Sequence, residues 1–154
     1  MEEKRLTKEE IRKALTKRHT QTVQERLERA RVAIAGLGGL GSNVAFSLAR
    51  IGVGHIHLID FDRVDITNLN RQQYFMRHIG MYKTDALKEE LEQINPYLDI
   101  RTDCVRVTED NLPRLVADAP IVCEAFDDPE SKALLTDTVL SLMKEKYLVA
   151  ASGM

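Results

Sequence analysis

A cluster of glycines between an apolar run and an amphipathic stretch is the part of this chain best suited to chemistry. Gly36, Gly38, Gly39 and Gly41 follow the apolar run 32–35 in the segment GLGGLG. One such glycine permits a tight turn, one lets phosphate oxygens approach bare backbone, and one lets a helix pack closely on the strand. The helix that follows directs free N–H groups and the positive end of its dipole at the ligand. The pattern predicts a phosphate-binding turn, and a packed turn without a ligand is the plainer alternative.

An acidic residue stands where a ribose-binding carboxylate is expected. The second apolar run, 55–59, ends on Asp60, which lies 19 residues after Gly41. In dinucleotide-binding folds an acid about 20 residues beyond the glycine turn hydrogen-bonds the ribose. Asp60 could instead cap a helix or turn. Asp62 fits a supporting contact and a turn residue equally well.

Composition and charge limit the class of protein to which this chain can belong. The 154 residues suffice for one domain with a sizeable core, and a net charge of −2 argues against a nucleic-acid partner, which would leave a basic footprint. No apolar run is long enough to span a bilayer, and the charged start MEEKRLTKEE is unlike a signal peptide, so we expect no membrane partner. Cys104 and Cys123 have no metal spacing. We expect two buried, reduced thiols, which fit a cytoplasmic protein.

Helix and strand patterns give the chain a helical start followed by an alternating α/β region. Residues 1–30 are predicted to be an N-terminal helical segment, one helix or two helices broken near 18–20. Two capping boxes are predicted there, Thr7 with Glu10 and Thr22 with Glu25. In the next region, the predicted strands are 31–36, 55–60, 98–105, 121–123 and 147–151, and the predicted helices are 40–51, 83–94, 109–117 and 129–146.

This alternation predicts a Rossmann-like, mostly parallel sheet with helices on both faces, over residues 31–154. The polar stretch 61–82 has no clear period, and loops of this length in compact domains are usually functional or disordered. His55 and His57 alternate along the second strand, and we expect them on one exposed or edge face. Because the sequence stops just past a strand, we expect either a domain shortened at its carboxyl end or a protein that needs a partner to complete its site.

Four segments together resemble one family. GLGGLG (36–41), LIDFDRVDITNLNRQ (58–72), IGMYK (79–83) and FDD (126–128) resemble the ThiF/MoeB/HesA adenylyltransferases, the bacterial relatives of ubiquitin-activating enzymes. The resemblance covers residues 18–154. The ThiF-like branch of thiamine biosynthesis looks most similar, on the run NLNRQQY and the compact N-terminus.

The resemblance implies a reaction and its participants. Such enzymes use ATP and Mg²⁺ to adenylate the C-terminal glycine carboxylate of a ubiquitin-like sulfur carrier, releasing pyrophosphate. The implied partners are a ThiS-like carrier ending in Gly-Gly and a second copy of the chain in a homodimer. The implied catalytic residues are Arg71, which would reach in from the dimer partner, Lys83, and Asp127, which would hold Mg²⁺. The implied nucleotide contacts are Gly36, Gly38, Gly39, Gly41, Asp60, Asp62, Asn68, Arg71, Gln72 and Lys83.

Several of these residues also have plainer explanations. Arg71 could be a solvated arginine and Gln72 a support for the loop backbone. Lys83 could be an ordinary helix lysine, although a cation is disfavoured at a helix N-terminus. Asp127 and Asp128 before a proline would also serve as a helix N-cap without a metal. Glu124 is the second candidate for the metal-binding acid.

Two departures and two alternatives accompany the resemblance. The zinc-binding CxxC pairs and the downstream cysteine of many relatives are missing here, so adenylate formation is the supported chemistry. An NAD-binding oxidoreductase domain would explain the glycines and Asp60 but not Asn68, Arg71 and Lys83. A non-catalytic scaffold relative is the other alternative. We expect the 154-residue form to bind nucleotide weakly or not at all, to turn over no carrier, and to self-associate through an exposed apolar edge.

Overall fold

Eleven helices and strands make up the fold in a computed structural model that describes residues 5–152. The helices are α1 (Lys8–Thr16), α2 (Gln21–Arg29), α3 (Gly39–Ile51), α4 (Lys83–Ile94), α5 (Leu112–Leu115) and α6 (Pro129–Leu142). The strands are β1 (Arg31–Ala35), β2 (His55–Ile59), β3 (Asp99–Asp103), β4 (Ile121–Glu124) and β5 (Tyr147–Ala150). Two short 3₁₀ turns, Ile66–Asn68 and Met76–His78, lie between β2 and α4.

The five strands form one parallel sheet in the order β3-β2-β1-β4-β5. The central strand β1 pairs with β2 on one side and with β4 on the other. The chain therefore places β2 and β3 on one side of β1 and then crosses over to place β4 and β5 on the other side. In open parallel sheets, ligands bind at such a point, outside the carboxyl ends of the strands. The predicted Rossmann-like α/β fold is confirmed.

Successive residues of the inner strands point to opposite faces of the sheet, and both faces are covered. Ile34 and Leu58 pack with Leu87 of α4 in the core beneath α3 and α4. Ala33 and Ile59 pack with α5 and α6 in a second core on the opposite face. Burial on both faces explains why these strands read as continuous apolar runs rather than as alternating patterns.

The polar stretch 61–82 is ordered by backbone pairing. Val64 N–H donates to Met81 O at 2.8 Å, and Gly80 N–H donates back to Val64 O at 2.8 Å. Val64 is buried, and the stretch folds back beside the start of α4. Of the two expectations for this loop, disorder is therefore wrong.

Three local predictions need correction. The capping box of Thr7 and Glu10 is present, but α2 begins two residues earlier than the second box requires, because the side chain of Thr20 accepts from Val23 N–H. The predicted helix 109–117 is reduced to Leu112–Leu115, since Pro113 is tolerated only in the first turn of a helix. The last helix ends at Leu142 rather than at residue 146.

The histidine and cysteine expectations also need correction. Strand β2 is internal, so neither histidine lies on an edge; His57 is buried, with its Nε2 2.6 Å from Asp103 Oδ2. Cys104 is exposed because it follows the edge strand β3, whereas Cys123 is partly buried, which raises the pKa of its thiol. Within residues 5–152, no helix combines the length and the apolar character needed to cross a membrane.

Candidate functional site

A cleft of about 440 Å³ opens at the carboxyl ends of β1, β2 and β4. This volume lies within the range of about 300–1,000 Å³ that is typical of small-molecule sites. Of the residues predicted to form the site, Gly41 and Asn68 do not line this cleft. Those that do are Gly36, Gly38, Gly39, Asp60, Asp62, Arg71, Gln72, Lys83 and Asp127.

The glycine turn presents bare backbone to the cleft. Gly36 has a φ of +93°, and a Cβ there would lie 2.6 Å from Ala125 O, so no other residue fits. At Gly38 and Gly39, an added Cβ would instead meet only the side chains of Gln72 and Arg71, at 3.5 and 3.6 Å. A side chain at either position would therefore enter the space that the cleft leaves for a ligand.

Gly41 has a different position from the other three glycines. A Cβ on Gly41 would lie 1.7 Å from Gly36 O and 3.4 Å from Ile34 Cγ2. Gly41 thus lets the first turn of α3 pack on the glycine turn from behind. The structure gives it a packing role, and a direct phosphate contact is not supported by its position.

Asp60 joins the end of β2 to the glycine turn. Its Oδ2 accepts a hydrogen bond of 2.7 Å from Leu37 N–H, and its Oδ1 accepts one of 2.7 Å from Asp62 N–H. The residue is 8% exposed but still lines the cleft. Its carboxylate therefore shapes the turn, and its contact with a ribose stays a prediction.

The stretch 61–82 also supports the glycine turn, through residues that the sequence analysis did not single out. Tyr74 Oη donates to Leu37 O at 2.6 Å, and burial raises the pKa of this phenol well above its usual value, so it remains a donor. Gln73 N–H donates to Ser42 Oγ, and its side-chain amide donates to Asn43 Oδ1. The turn is thus held from two sides before any ligand arrives.

Two predicted cations lie on the cleft wall. Lys83 is only 6% exposed, with its Nζ 3.8 Å from Asp62 Oδ2, which does not fit an ordinary solvent-facing helix lysine. Arg71 is exposed, and its guanidinium donates to Thr67 O and Asn70 Oδ1. Arg71 lies beside the glycine turn of its own chain, which favours action in the same subunit over the expected approach from a dimer partner.

Two predicted amide residues have different surroundings. Gln72 is buried on the cleft wall, and its Oε1 has no hydrogen-bond partner in the part of the chain that the structure describes. Asn68 lies outside the cleft, where its Oδ1 accepts from Asp65 N–H and closes a 3₁₀ turn. Asn68 is therefore placed to shape the loop that carries Arg71 and Gln72.

Three carboxylates, those of Asp60, Asp62 and Asp127, line the cleft. The pKa of Asp62 is raised, first by burial and then by the negative charges of Asp60 and Asp127, while Lys83 and Arg106 oppose the shift. Mg²⁺ favours one or two carboxylates combined with phosphate oxygens, so a single exposed acid on this wall would suffice. Asp127 is exposed on the cleft wall and fits this role. Its neighbour Asp128 caps α6, and the bond from Ser131 N–H lowers the pKa of Asp128.

Glu124, the second candidate for the metal-binding acid, does not fit that role. It is 3% exposed, lies outside this cleft, and forms an ion pair of 2.9 Å with Lys132 Nζ. Lys132 does line the cleft, and sequence reasoning missed it. A buried acid at the end of an apolar strand was the available signal, because such a charge needs a nearby cation.

Comparison with known proteins gives consistent matches. Residues 11–154 match the model of the ThiF family. The chain is 38% identical to the adenylyltransferase and sulfurtransferase UBA4 of Candida glabrata and 35% identical to MOCS3 of Culex quinquefasciatus, in each case over 132 residues, 85% of this chain and 30% of that protein. It thus spans less than a third of the length of these curated relatives.

A solved structure gives a similar result. The chain resembles E. coli tRNA N6-threonylcarbamoyladenosine dehydratase, TcdA, in complex with ATP, with a TM-score of 0.87 and 30% sequence identity. The match covers 94% of this chain and 59% of that one.

Proposed function

The chain belongs to the ThiF family, as the sequence resemblance indicated, and on this premise we propose that its cleft binds ATP with Mg²⁺ and adenylates the C-terminal glycine carboxylate of a small ubiquitin-like carrier protein. The observation that carries the proposal is the convergence of three features on one cleft. These are the bare backbone at Gly38 and Gly39, the buried cation of Lys83 and the carboxylate of Asp127. The curated relatives are named adenylyltransferases, and the TcdA structure holds ATP.

The proposed reaction explains why cations and donors surround the cleft. A carrier carboxylate oxygen attacks the α-phosphorus, a new O–P bond forms, and the bond to the β-phosphate breaks with its electron pair leaving on pyrophosphate. Because an anion attacks an anion, positive groups must be in place before charge develops in the transition state. Lys83 and Arg71 supply this charge, and the turn before α3 supplies backbone N–H groups.

Asp127 and Asp62 form the acidic wall of the cleft, which is the part of the proposed site that would bind the metal ion. Mg²⁺ bound there would neutralise phosphate charge, and Asp127 would orient it while Asp62 and Asp60 stay close to the ribose end. Lys83, 3.8 Å from Asp62, keeps this wall from carrying an uncompensated negative charge.

The finer parts of the proposal concern the carrier and the assembly. We propose a sulfur carrier of the ThiS type, ending in Gly-Gly and serving thiamine biosynthesis, because the run NLNRQQY (68–74) resembles that branch. The sulfurtransferase names of the curated relatives support a sulfur carrier without distinguishing thiamine from other pathways. A homodimer is part of the proposal on the family resemblance alone.

Carrier-dependent exchange of labelled pyrophosphate into ATP tests the proposal directly. The protein is assayed with a ThiS-type carrier, with the same carrier lacking its last glycine, and with Mg²⁺ or EDTA. Because the cleft brings the glycine turn, Lys83 and Asp127 together, we now expect exchange, contrary to the expectation from the sequence that this form turns over no carrier, and only with the intact carrier and Mg²⁺. Exchange that ignores the terminal glycine, or no exchange at any carrier concentration, contradicts the proposal; the second result favours a scaffold.

A thermal-shift comparison separates the proposal from an NAD-binding domain. Because a ligand that binds only the native state raises stability by mass action, ATP with Mg²⁺ should raise the melting temperature more than NAD at equal concentration. An equal or larger shift with NAD contradicts the adenylyltransferase proposal.

A further inference from the structure

Lys132 makes an unusually complete set of contacts for a lysine at the edge of a cleft. Its Nζ donates to Glu124, with distances of 2.9 Å to Oε2 and 3.2 Å to Oε1, and to Phe126 O and Ala151 O at 2.9 Å each. An ammonium group has three N–H donors. One carboxylate and two carbonyls satisfy all three, so Lys132 cannot bind a phosphate without giving up one of these bonds.

The same cluster fixes the backbone immediately before Asp127. Glu124 Oε1 accepts from Phe126 N–H at 2.8 Å, and Ala125 N–H donates to Ala35 O at 2.8 Å. Phe126 is therefore held at its N–H by Glu124 and at its carbonyl by Lys132. On the other side, Asp128 is fixed as the N-cap of α6.

Asp127 thus lies between two anchored residues, and only one anchor depends on a buried charge. Glu124 has a side chain that is 2% exposed, and a carboxylate in that position requires a cationic partner. Removing the ammonium of Lys132 would leave that charge uncompensated and would release the Phe126 carbonyl.

We propose that Lys132 is the positioning residue for Asp127: with Glu124 it clamps Phe126, directs the Asp127 carboxylate into the cleft, and so sets the Mg²⁺ dependence of ATP binding. This inference rests on the proposed function for its link to Mg²⁺. The clamp itself rests on the contacts of Lys132, Glu124 and Phe126 alone.

A second lysine offers a matched control at the other end of the same strand pair. Lys146 Nζ donates to Ala117 O at 2.9 Å and to Ala119 O at 2.8 Å, just before β4 begins. It joins the amino ends of β4 and β5 much as Lys132 joins their carboxyl ends, but it does not line the cleft. A methionine at either position removes an ammonium that holds two backbone carbonyls.

The test compares Lys132→Met, Lys132→Arg and Lys146→Met by ATP affinity measured with Mg²⁺ and with EDTA. Because residues that orient a metal ligand typically cost 10–100-fold in metal affinity when replaced, we expect Lys132→Met to lose about tenfold or more of the Mg²⁺ enhancement. Lys132→Arg and Lys146→Met should keep the Mg²⁺ enhancement of ATP affinity. Hydrogen exchange of residues 125–128, measured without nucleotide, should accelerate in Lys132→Met only.

Other results overturn the proposal. An equal loss of ATP affinity with and without Mg²⁺ would make Lys132 a direct phosphate contact. Hydrogen exchange at residues 125–128 that is unchanged in Lys132→Met would show that Lys132 does not hold this segment. If the parent protein shows no Mg²⁺-dependent ATP binding, the proposed function fails, and the exchange measurement still decides whether the clamp exists.

A second variant covers the case in which Lys132→Met does not fold. Glu124→Gln keeps an acceptor for Phe126 N–H but removes the charge that holds Lys132. We expect a smaller loss of Mg²⁺ enhancement together with faster exchange at residues 125–128. If Glu124→Gln keeps both the Mg²⁺ enhancement and the hydrogen-exchange rates of the parent protein, the proposal is contradicted.

Discussion

The carboxylate of Asp60 holds the glycine turn from the neighbouring strand, through a hydrogen bond of 2.7 Å between its Oδ2 and Leu37 N–H. Its Oδ1 holds Asp62 N–H at the same distance. One side chain therefore fixes both the glycine turn and the backbone of Asp62, which a role confined to the ribose would not require.

Asp60→Ala should impair the site more broadly than the loss of a ribose contact. Leaving two backbone donors without their acceptor should lower the free energy of unfolding by about 1–3 kcal/mol. We also expect weaker binding of both ATP and free pyrophosphate, measured by denaturant titration and by competition binding. If pyrophosphate binds as in the parent protein, Asp60 acts only on the nucleoside part.

The same substitution at two glycines should separate packing from ligand contact. Gly41→Ala brings a methyl group to 1.7 Å from Gly36 O, so we expect destabilisation by about 3 kcal/mol or more. Gly38→Ala meets only the Gln72 amide at 3.5 Å and should fold normally while losing ATP affinity. Thermal denaturation and ATP titration measure the two effects. Normal ATP binding by Gly38→Ala would make that position purely structural.

Lys83→Met should slow adenylation far more than it weakens ATP binding. Its charge matters most in the transition state, and the loss of one such group typically costs about 10²–10³ in rate. Lys88→Met is the control, because Lys88 is a half-exposed lysine on the same helix and pairs with Glu92. Single-turnover kinetics and ATP titration separate rate from affinity. Equal losses in both variants would contradict a catalytic role for Lys83.

Mixed dimers test which subunit Arg71 serves. Arg71 lies beside Gly39 of its own chain, so every site in a heterodimer of Arg71→Ala and Asp127→Ala protomers should carry one lesion. We therefore expect no recovery of pyrophosphate exchange in a purified heterodimer. Recovery toward half of the parent activity would show that Arg71 acts across the interface.

His57 should make stability depend on pH. Burial lowers the pKa of His57 below its usual 6.5, although the hydrogen bond to Asp103 opposes the shift. The unfolded chain then takes up a proton more readily than the folded one. The stabilisation that the neutral His57 gives the folded state is therefore complete above about pH 6.5 and is lost as the pH falls through the lowered pKa. Denaturant titrations from about pH 7 to 5 should show a falling free energy of unfolding, with a shallower slope for His57→Gln than for His55→Gln. Equal slopes would contradict this assignment.

The parts of the structure that follow from local pattern were predictable. The strand Arg31–Ala35, the glycine turn and the helix that starts at Lys83 depend on residues adjacent in sequence, and their positions were predicted within one or two residues. Asp60 was located by its spacing from the glycine turn, and Asp127 by the resemblance of the segment FDD (126–128) to the family.

The supporting contacts were not predictable, since they depend on the assembled sheet. Tyr74 donates to the carbonyl of Leu37, 37 residues away in sequence, and Lys132 of α6 donates to Ala151 O just after β5. No periodicity brings such pairs together. Glu124 was misassigned for the same reason: its carboxylate resembles a metal ligand until its partner on α6 is known.

The position of β1 in the sheet has a kinetic consequence. Ala33 pairs with His57, nearby in sequence, and with Val122, which is separated from it by most of the chain. Closing the longer loop costs more chain entropy and delays such contacts during folding. The pairing of β1 with β4, beyond which Gly36 packs against Ala125 and Phe126, is thus expected to form last. A nucleotide that bridges these two strands would therefore slow unfolding and prolong the lifetime of the native state, while leaving the rate of refolding nearly unchanged.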